Sequence, residues 1–186
     1  MINKSDTVPR PRINPTGKWM LGLIGSAFLL VSGTMSASAQ SIGAVSNLPV
    51  PRFVSLKSDR VNVREGPAKD HATRWVYQRA GLPVEITAEF EIWRKIRDSE
   101  GGEGWVLHSL LSGRRTALVL QGKTPGNVSL YAKPNVQTET TAALQPGVIG
   151  SIKTCDGNWC RIYGDEFDGF IPQSAVWGAY PGEKIN

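Results

Sequence analysis

Val61–Pro67 reads Val-Asn-Val-Arg-Glu-Gly-Pro, and a weaker copy, Val-Ser-Leu-Tyr-Ala-Lys-Pro, returns at Val128–Pro134. In each copy alternate residues are apolar, Val61 and Val63 in one and Val128 and Leu130 in the other, so a strand turns them to one buried face. Proline then ends the strand, because it lacks an amide hydrogen and restricts the residue before it. Each copy is followed by a Gly-bounded apolar run, a Trp near the start of a second run, and a Gly-aromatic-β-branched triplet, Gly104-Trp-Val106 in one and Gly169-Phe-Ile171 in the other. Duplication over roughly sixty-odd residues specifies two small domains of one design rather than a solenoid.

A chain of 186 residues has room for two such units. Domains of about 60 residues bury only roughly 60% of the surface their unfolded chains expose, so each needs a staple or a packed neighbour. The net charge of +5 is unevenly placed: residues 1–51 carry four basic and one acidic side chain, residues 52–120 twelve and nine, and residues 121–186 five and six. Arg94, Lys95 and Arg97 lie among Glu89, Glu91, Asp98, Glu100 and Glu103, a mixed surface rather than a nucleic-acid stripe. Nucleic acid is not an expected partner.

The first 18 residues are polar and basic, and Trp19–Val31 is an uncharged apolar run. Its 13 residues fall short of the roughly 20 that span a bilayer. With Ala37-Ser38-Ala39 behind it, the segment 1–39 reads as a signal peptide cleaved after Ala39, which places the mature chain in the periplasm or outside the cell. Membrane attachment is expected only if that segment stays uncleaved. Residues 40–52, with Pro49 and Pro51, read as a flexible tether.

Phe53, Val54 and Leu56 form an expected opening strand, Val61–Arg64 a second and Trp75–Tyr77 a third. Leu82, Val84 and Ile86 alternate with Pro83, Glu85 and Thr87, the period of a half-buried strand. Trp93–Arg97 follows, Asp98–Gly102 makes a hairpin turn, and Gly104–Leu107 returns. His108–Leu111 is one helical turn, and Thr116–Leu120 a closing strand. After a linker at 121–126 the plan repeats: Val148–Thr154 answers Leu82–Ala88, Trp159 answers Trp93, Ile162 answers Ile96 and Ser174–Val176 answers Ser109–Leu111. Short strands without a long helical period specify an all-β chain of two small, strongly bent β-barrels, 53–120 and 127–182.

Cys155 and Cys160 bracket Asp156-Gly157-Asn158, which sets them on opposite arms of a tight hairpin. In an exported protein this spacing reads as a disulfide. A metal pair would want further ligands, and His71 and His108 both lie in the first unit. A redox pair would want the tighter Cys-x-x-Cys spacing. Glu89, Glu91, Glu100 and Glu103 fall at strand ends and turns and read as solubilising residues rather than paired catalytic acids. With no nucleophile motif and no phosphate-cradling glycine loop, neither enzymatic activity nor a cofactor is expected. The aromatic residues exceed what two small cores hide. Trp93, Trp105, Trp159 and Phe170 fit the cores, whereas Trp75 and Tyr77, beside a loop and near Arg74 and Arg79, fit a groove for sugar rings or proline-rich peptides. Trp75, Tyr77, Arg79, Trp93 and Trp105 are the candidate ligand-binding residues.

Val61–Pro67, Gly81-Leu-Pro-Val84, Trp93-Arg-Lys-Ile96, Glu103-Gly-Trp-Val106 and Leu110-Leu-Ser-Gly-Arg-Arg-Thr116 together resemble the bacterial SH3-like domain family, in the tandem arrangement found in exported proteins. The resemblance covers residues 53–120 well and 126–180 more weakly, through Trp159-Cys-Arg-Ile162 and Gly169-Phe-Ile171. In the second unit Tyr131-Ala-Lys133 replaces the Arg-Glu-Gly of the first. The resemblance implies a five-stranded barrel or two stacked bent sheets, used for targeting and binding rather than catalysis. Relatives often sit beside a cell-wall amidase or peptidase and bring it to peptidoglycan. The expected function is an exported, non-catalytic binding protein for peptidoglycan or its stem peptides. The alternative is an envelope adaptor that positions a separate enzyme or complex.

Overall fold

The computed structural model describes residues 41–122 and 125–186. The expected signal peptide 1–39, its cleavage point and Lys123-Thr124 of the expected linker lie outside the described residues. A short hairpin, β1 (Ser41–Ile42) with β2 (Pro49–Val50), precedes β3 (Arg52–Leu56), β4 (Val61–Arg64), β5 (Thr73–Tyr77), β6 (Pro83–Phe90), β7 (Trp93–Arg97) and β8 (Glu103–Leu107). A 3₁₀ turn at His108–Leu110 leads into β9 (Leu111–Ser112). Then come β10 (Thr116–Val119), β11 (Val128–Tyr131), β12 (Thr140–Leu144), β13 (Ile149–Asp156), β14 (Trp159–Tyr163) and β15 (Asp168–Pro172). A second 3₁₀ turn at Gln173–Ala175, β16 (Val176–Trp177) and β17 (Lys184–Ile185) close the chain. Among the described residues no helix is long and apolar enough to cross a membrane.

The strands form two large sheets, ordered β5-β4-β8-β7-β6-β3-β9 and β12-β11-β15-β14-β13-β10-β16, with β17 added beside β13. The two orders are the same once β10 is matched to β3. Neither order returns to its start, so each unit is an open sheet bent over its own core, sandwich-like, rather than a closed ring. The bends recur at matching places: the register shifts between Val63 and Arg64 and between Leu130 and Tyr131, and again between Ile86 and Ala88 and between Ile152 and Thr154. An extra residue on one strand sharpens its twist and bends the sheet.

This matching corrects the boundary between the units. Thr116–Leu120 does not close the first unit. Its β10 pairs with β13 and β16 and opens the second, as β3 pairs with β6 and β9 in the first. Ala117 and Val119 enter the second core, which gives the strand its apolar face. The first unit therefore ends near Ser112, and the segment between β9 and β10 is too short for a flexible link.

The repeated Gly-aromatic-β-branched triplet has a packing cause. A Cβ on Gly104 would stand 2.3 Å from Val63 Cγ1, and one on Gly169 would stand 3.0 Å from Leu130 Cβ and 3.1 Å from the Tyr131 carbonyl oxygen. Where β8 meets β4, and β15 meets β11, only glycine allows the strands to approach. Val61, Val63, Val84, Ile96 and Val106 fill the first core, and Leu130, Ile162, Ile171 and Cys160 the second. Cys155 and Cys160 face each other across β13 and β14 and form a disulfide, with Cα atoms 4.1 Å apart. Asp156 shapes the turn between them, its Oδ1 accepting the Asn158 and Trp159 amides at 2.8 Å each.

The expected tether and the expected solvation of Glu89 both need correction. Residues 41–50 form the β1–β2 hairpin, whose turn is held by the Glu89 carboxylate. Glu89 Oε2 accepts the Val45 and Ser46 amides at 3.1 and 2.9 Å, and Oε1 accepts the Ser46 hydroxyl at 2.6 Å and Arg52 Nη2 at 2.8 Å. Arg94 Nε lies 3.4 Å from the same Oε1, and only 1% of the Glu89 side chain is exposed. The hairpin encloses a strand-end position that would otherwise be wet.

Candidate functional site

The described residues from Ser41 onward belong to one compact unit, in which the two sheets pack directly against each other. The pattern of β6 shows how. Val84 and Ile86 face the first core, and the alternate residues Pro83 and Glu85 are buried as well, because the second unit covers their side of the strand. Thr116 Oγ1 donates to the Gly81 carbonyl at 2.7 Å, and Arg79 Nη1 donates to the Gly147 carbonyl at 2.6 Å. Arg115 donates to both carboxylate oxygens of Glu183, at 2.8 and 2.9 Å, and to the Gly178 carbonyl at 2.7 Å. Bidentate pairing of this kind fixes geometry as well as charge. Burial pushes the Glu183 carboxyl up, but Arg115 and the Tyr180 amide outweigh it and hold the group below its ordinary value.

At this junction lies a groove of about 770 Å³, the candidate functional site. Phe53 from β3, Glu85 from β6 and Arg97 from β7 supply one side. Trp177 from β16, Tyr180 and residues of the β13–β14 turn supply the other. Phe53 is almost wholly buried between the aromatic rings of the second unit. It meets Trp177 edge-on at 4.9 Å between ring centroids and Tyr180 at 4.7 Å, with the Arg115 guanidinium 5.8 Å from its own centroid. Such contacts add about 0.5–1.5 kcal/mol each beyond area burial.

The polar counterpart of this cluster is Glu85. Its side chain is 3% exposed; Oε1 accepts the Tyr180 hydroxyl at 2.8 Å, and Oε2 accepts Arg97 Nε at 2.8 Å and also Arg97 Nη2. Burial, then the bond to Glu85, raises the Tyr180 phenol well above its ordinary value. Gln173 also lines the groove; its Nε2 ties down the C-terminal segment by donating to the Tyr180 and Glu183 carbonyls at 2.6 and 3.1 Å. The Asn158 and Ser174 side chains stand exposed at the same groove.

The residues singled out from sequence are dispersed. Trp75 and Tyr77 sit half-buried on the edge strand β5, their rings edge-to-face at 6.1 Å. The Arg74 guanidinium lies 5.5 Å from the Trp75 centroid, and the Tyr77 hydroxyl donates to Asp98 Oδ2 at 2.6 Å, so both rings already have partners in the fold. Burial, then the Asp98 contact, raises the Tyr77 phenol. Arg79 reaches the second unit rather than a groove beside Trp75. Trp93 is buried and lines a separate cavity of about 180 Å³ with Arg60, Asn62 and Arg64. Trp105 lies half-buried on β8 opposite Lys95. Its counterpart is Phe170, opposite Arg161, and each site carries a cross-strand ion pair, Lys95–Glu103 at 2.6 Å and Arg161–Asp168 at 2.7 Å. Phe53, Glu85, Arg97, Trp177 and Tyr180 were not singled out. Trp177 and Tyr180 belong to the excess of aromatic residues in the second unit, whereas Phe53, Glu85 and Arg97 carry no local sign of the site.

A model of the bacterial SH3 domain matches residues 57–113 and 124–178, and both spans omit the opening strand of their unit, β3 or β10. Curated proteins contain no match to the chain. Among solved structures the chain is similar to NlpC2 from Trichomonas vaginalis, at 14% identity over 68% of this chain and 48% of that one, with a TM-score of 0.31. It is similar to NlpC1 from the same organism at 15% identity over 73% and 48% of the two chains, again with a TM-score of 0.31. The chain spans about half the length of these structures.

Proposed function

The chain belongs to the bacterial SH3 domain family, in two copies, and on that premise we propose that it is a non-catalytic module that binds bacterial cell-wall peptidoglycan through the groove between its units. The observation that carries this proposal is the groove itself. A concave site with aromatic walls and a few polar groups is the common form of a binding site for small ligands and peptides. Both units contribute to it, and they are docked through buried aromatic and charged contacts, so the site is preorganised rather than assembled on encounter. A signal peptide at 1–39 would deliver the mature chain, from Gln40, to the periplasm or the exterior, where the wall is.

Retention of the mature chain on purified sacculi, with salt raised from about 0.15 M to remove weak charge effects, tests this reading. Saturable retention that survives added salt is the expected result. Failure to be retained, together with co-purification of one stoichiometric envelope protein, would replace the wall by a protein partner and make the chain an adaptor.

A further inference from the structure

We infer that the groove between the units takes a short peptide by its free carboxylate end, with Arg97 as the anchor of that carboxylate. The inference rests on the wall-binding reading and narrows it from the wall as a whole to the ends of its peptides.

Arg97 is placed for this work by an unequal sharing of its guanidinium. Nε and Nη2 both donate to one oxygen of Glu85, while Nη1 makes no hydrogen bond among the described residues. Glu85 is enclosed, with 3% of its side chain exposed, whereas 44% of the Arg97 side chain is exposed. The second Glu85 oxygen is occupied by the Tyr180 hydroxyl. The carboxylate is thus directed inward, and the N–H groups of Nη1 are left for a ligand. A guanidinium already fixed by a buried partner loses little rotamer freedom when it binds, and its fork suits a carboxylate.

The rest of the groove selects what is attached to that carboxylate. Asn158 and Ser174 are exposed, and their side chains make no hydrogen bonds among the described residues, so an amide and a hydroxyl are free to meet peptide groups. Val176, Trp177 and Pro181 supply an apolar wall for small side chains. Among the described residues Arg97 is the only cation lining the groove, and its charge is partly offset by Glu85. A singly charged carboxylate fits this balance, and a phosphate dianion does not. A neutral glycan would leave the free N–H groups of Arg97 without a charged partner.

Calorimetric titration of the mature chain with N-acetyl-D-alanyl-D-alanine, its C-terminal amide and an oligomer of N-acetylglucosamine decides the matter. The free acid is expected to bind about tenfold or more tightly than the amide, the usual advantage of a charge-assisted hydrogen bond. Arg97→Gln is expected to bring the acid to the affinity of the amide, and Arg97→Lys to fall between. Arg97→Gln also strips Glu85 of its partner and could unfold the junction, so the comparison of acid with amide on the unaltered chain carries the test by itself. Equal binding of acid and amide, binding of the glycan oligomer alone, or no binding of either peptide would overturn the inference. Retention on sacculi in any of those cases would leave the wall-binding reading standing, whereas loss of retention would remove both.

Discussion

Glu89→Gln isolates what a single enclosed carboxylate does for this fold. The substitution keeps the shape of the side chain but replaces one acceptor oxygen by a donor. An amide cannot accept from Val45 and Ser46 through one atom and from Ser46 and Arg52 through the other. It also leaves Arg94, with 7% of its side chain exposed, without its carboxylate. Burial pushes the Glu89 carboxyl up, but the hydrogen bonds from the Ser46 side chain and amide, Arg52 and Val45 outweigh it and hold the group at about 2 instead of its ordinary 4.5. At about 1.4 kcal/mol per pH unit, this is a stabilisation of about 3 kcal/mol. For a folded unit of this size the loss corresponds to roughly 6–12 °C in melting temperature. The sign follows from the depressed value. The contribution is complete above the ordinary carboxyl range and is lost as pH falls through about 2, where the folded protein takes up the proton. Melting curves of wild type and variant should therefore differ most near neutrality and converge towards about pH 2, and backbone amides of the β1–β2 turn should exchange faster in the variant. An unchanged melting temperature together with unchanged exchange at residues 43–48, or a difference that persists undiminished at low pH, would refute this reasoning.

Other consequences are simpler to read. Replacing Cys155 and Cys160 together by Ser opens a loop with a sequence separation of 5 and should lower unfolding free energy by roughly 2 kcal/mol in a urea titration. Thiol labelling of the native, unreduced chain would contradict the bond. Gly178→Ala places a Cβ 2.0 Å from the Thr116 carbonyl oxygen at a φ of +128°, so a loss of about 3 kcal/mol is expected, and a neutral effect would mean that the backbone of the second unit yields easily where the segment after β16 crosses β10. Tyr180→Phe removes the hydroxyl that serves Glu85 and should destabilise by about 1–3 kcal/mol. Because the Tyr180 phenol is raised above its ordinary 10.0, its contribution is lost as pH rises beyond that value, and the variant should lack a late component of the alkaline absorbance titration.

The duplication was legible because its cause is local. Apolar alternation at Val61 and Val63, and again at Val128 and Leu130, survives in any strand, and Gly104 and Gly169 mark a close strand crossing that tolerates no side chain. The hairpin staple at Cys155–Cys160 was legible for the same reason. Thr116–Val119 carried a correct strand signal but no sign of which sheet it joins, since three residues separate it from the last strand of the first unit and either pairing fits the pattern. Burial of Glu85 had no local signal at all. Its partner Tyr180 is 95 residues away, and only docking of the second unit turns the outer side of β6 into an interior. The same applies to the site. Trp75 and Tyr77 stand out because they neighbour Arg74 and Arg79, yet Arg74 lies over Trp75 and Arg79 crosses to Gly147. Phe53 and Trp177 meet only in the assembled pair of units.

The groove's role is tested most directly by filling it. Ser174 is exposed on the 3₁₀ turn beside the groove and takes no part in either core, so Ser174→Trp should leave the fold intact while occupying the space a ligand would need. Retention of this variant and of the unaltered chain on purified sacculi, each with its melting curve, is the measurement. The expected result is loss of retention at an unchanged melting temperature. Retention equal to that of the unaltered chain, by a variant that melts normally, would contradict binding through the groove between the units.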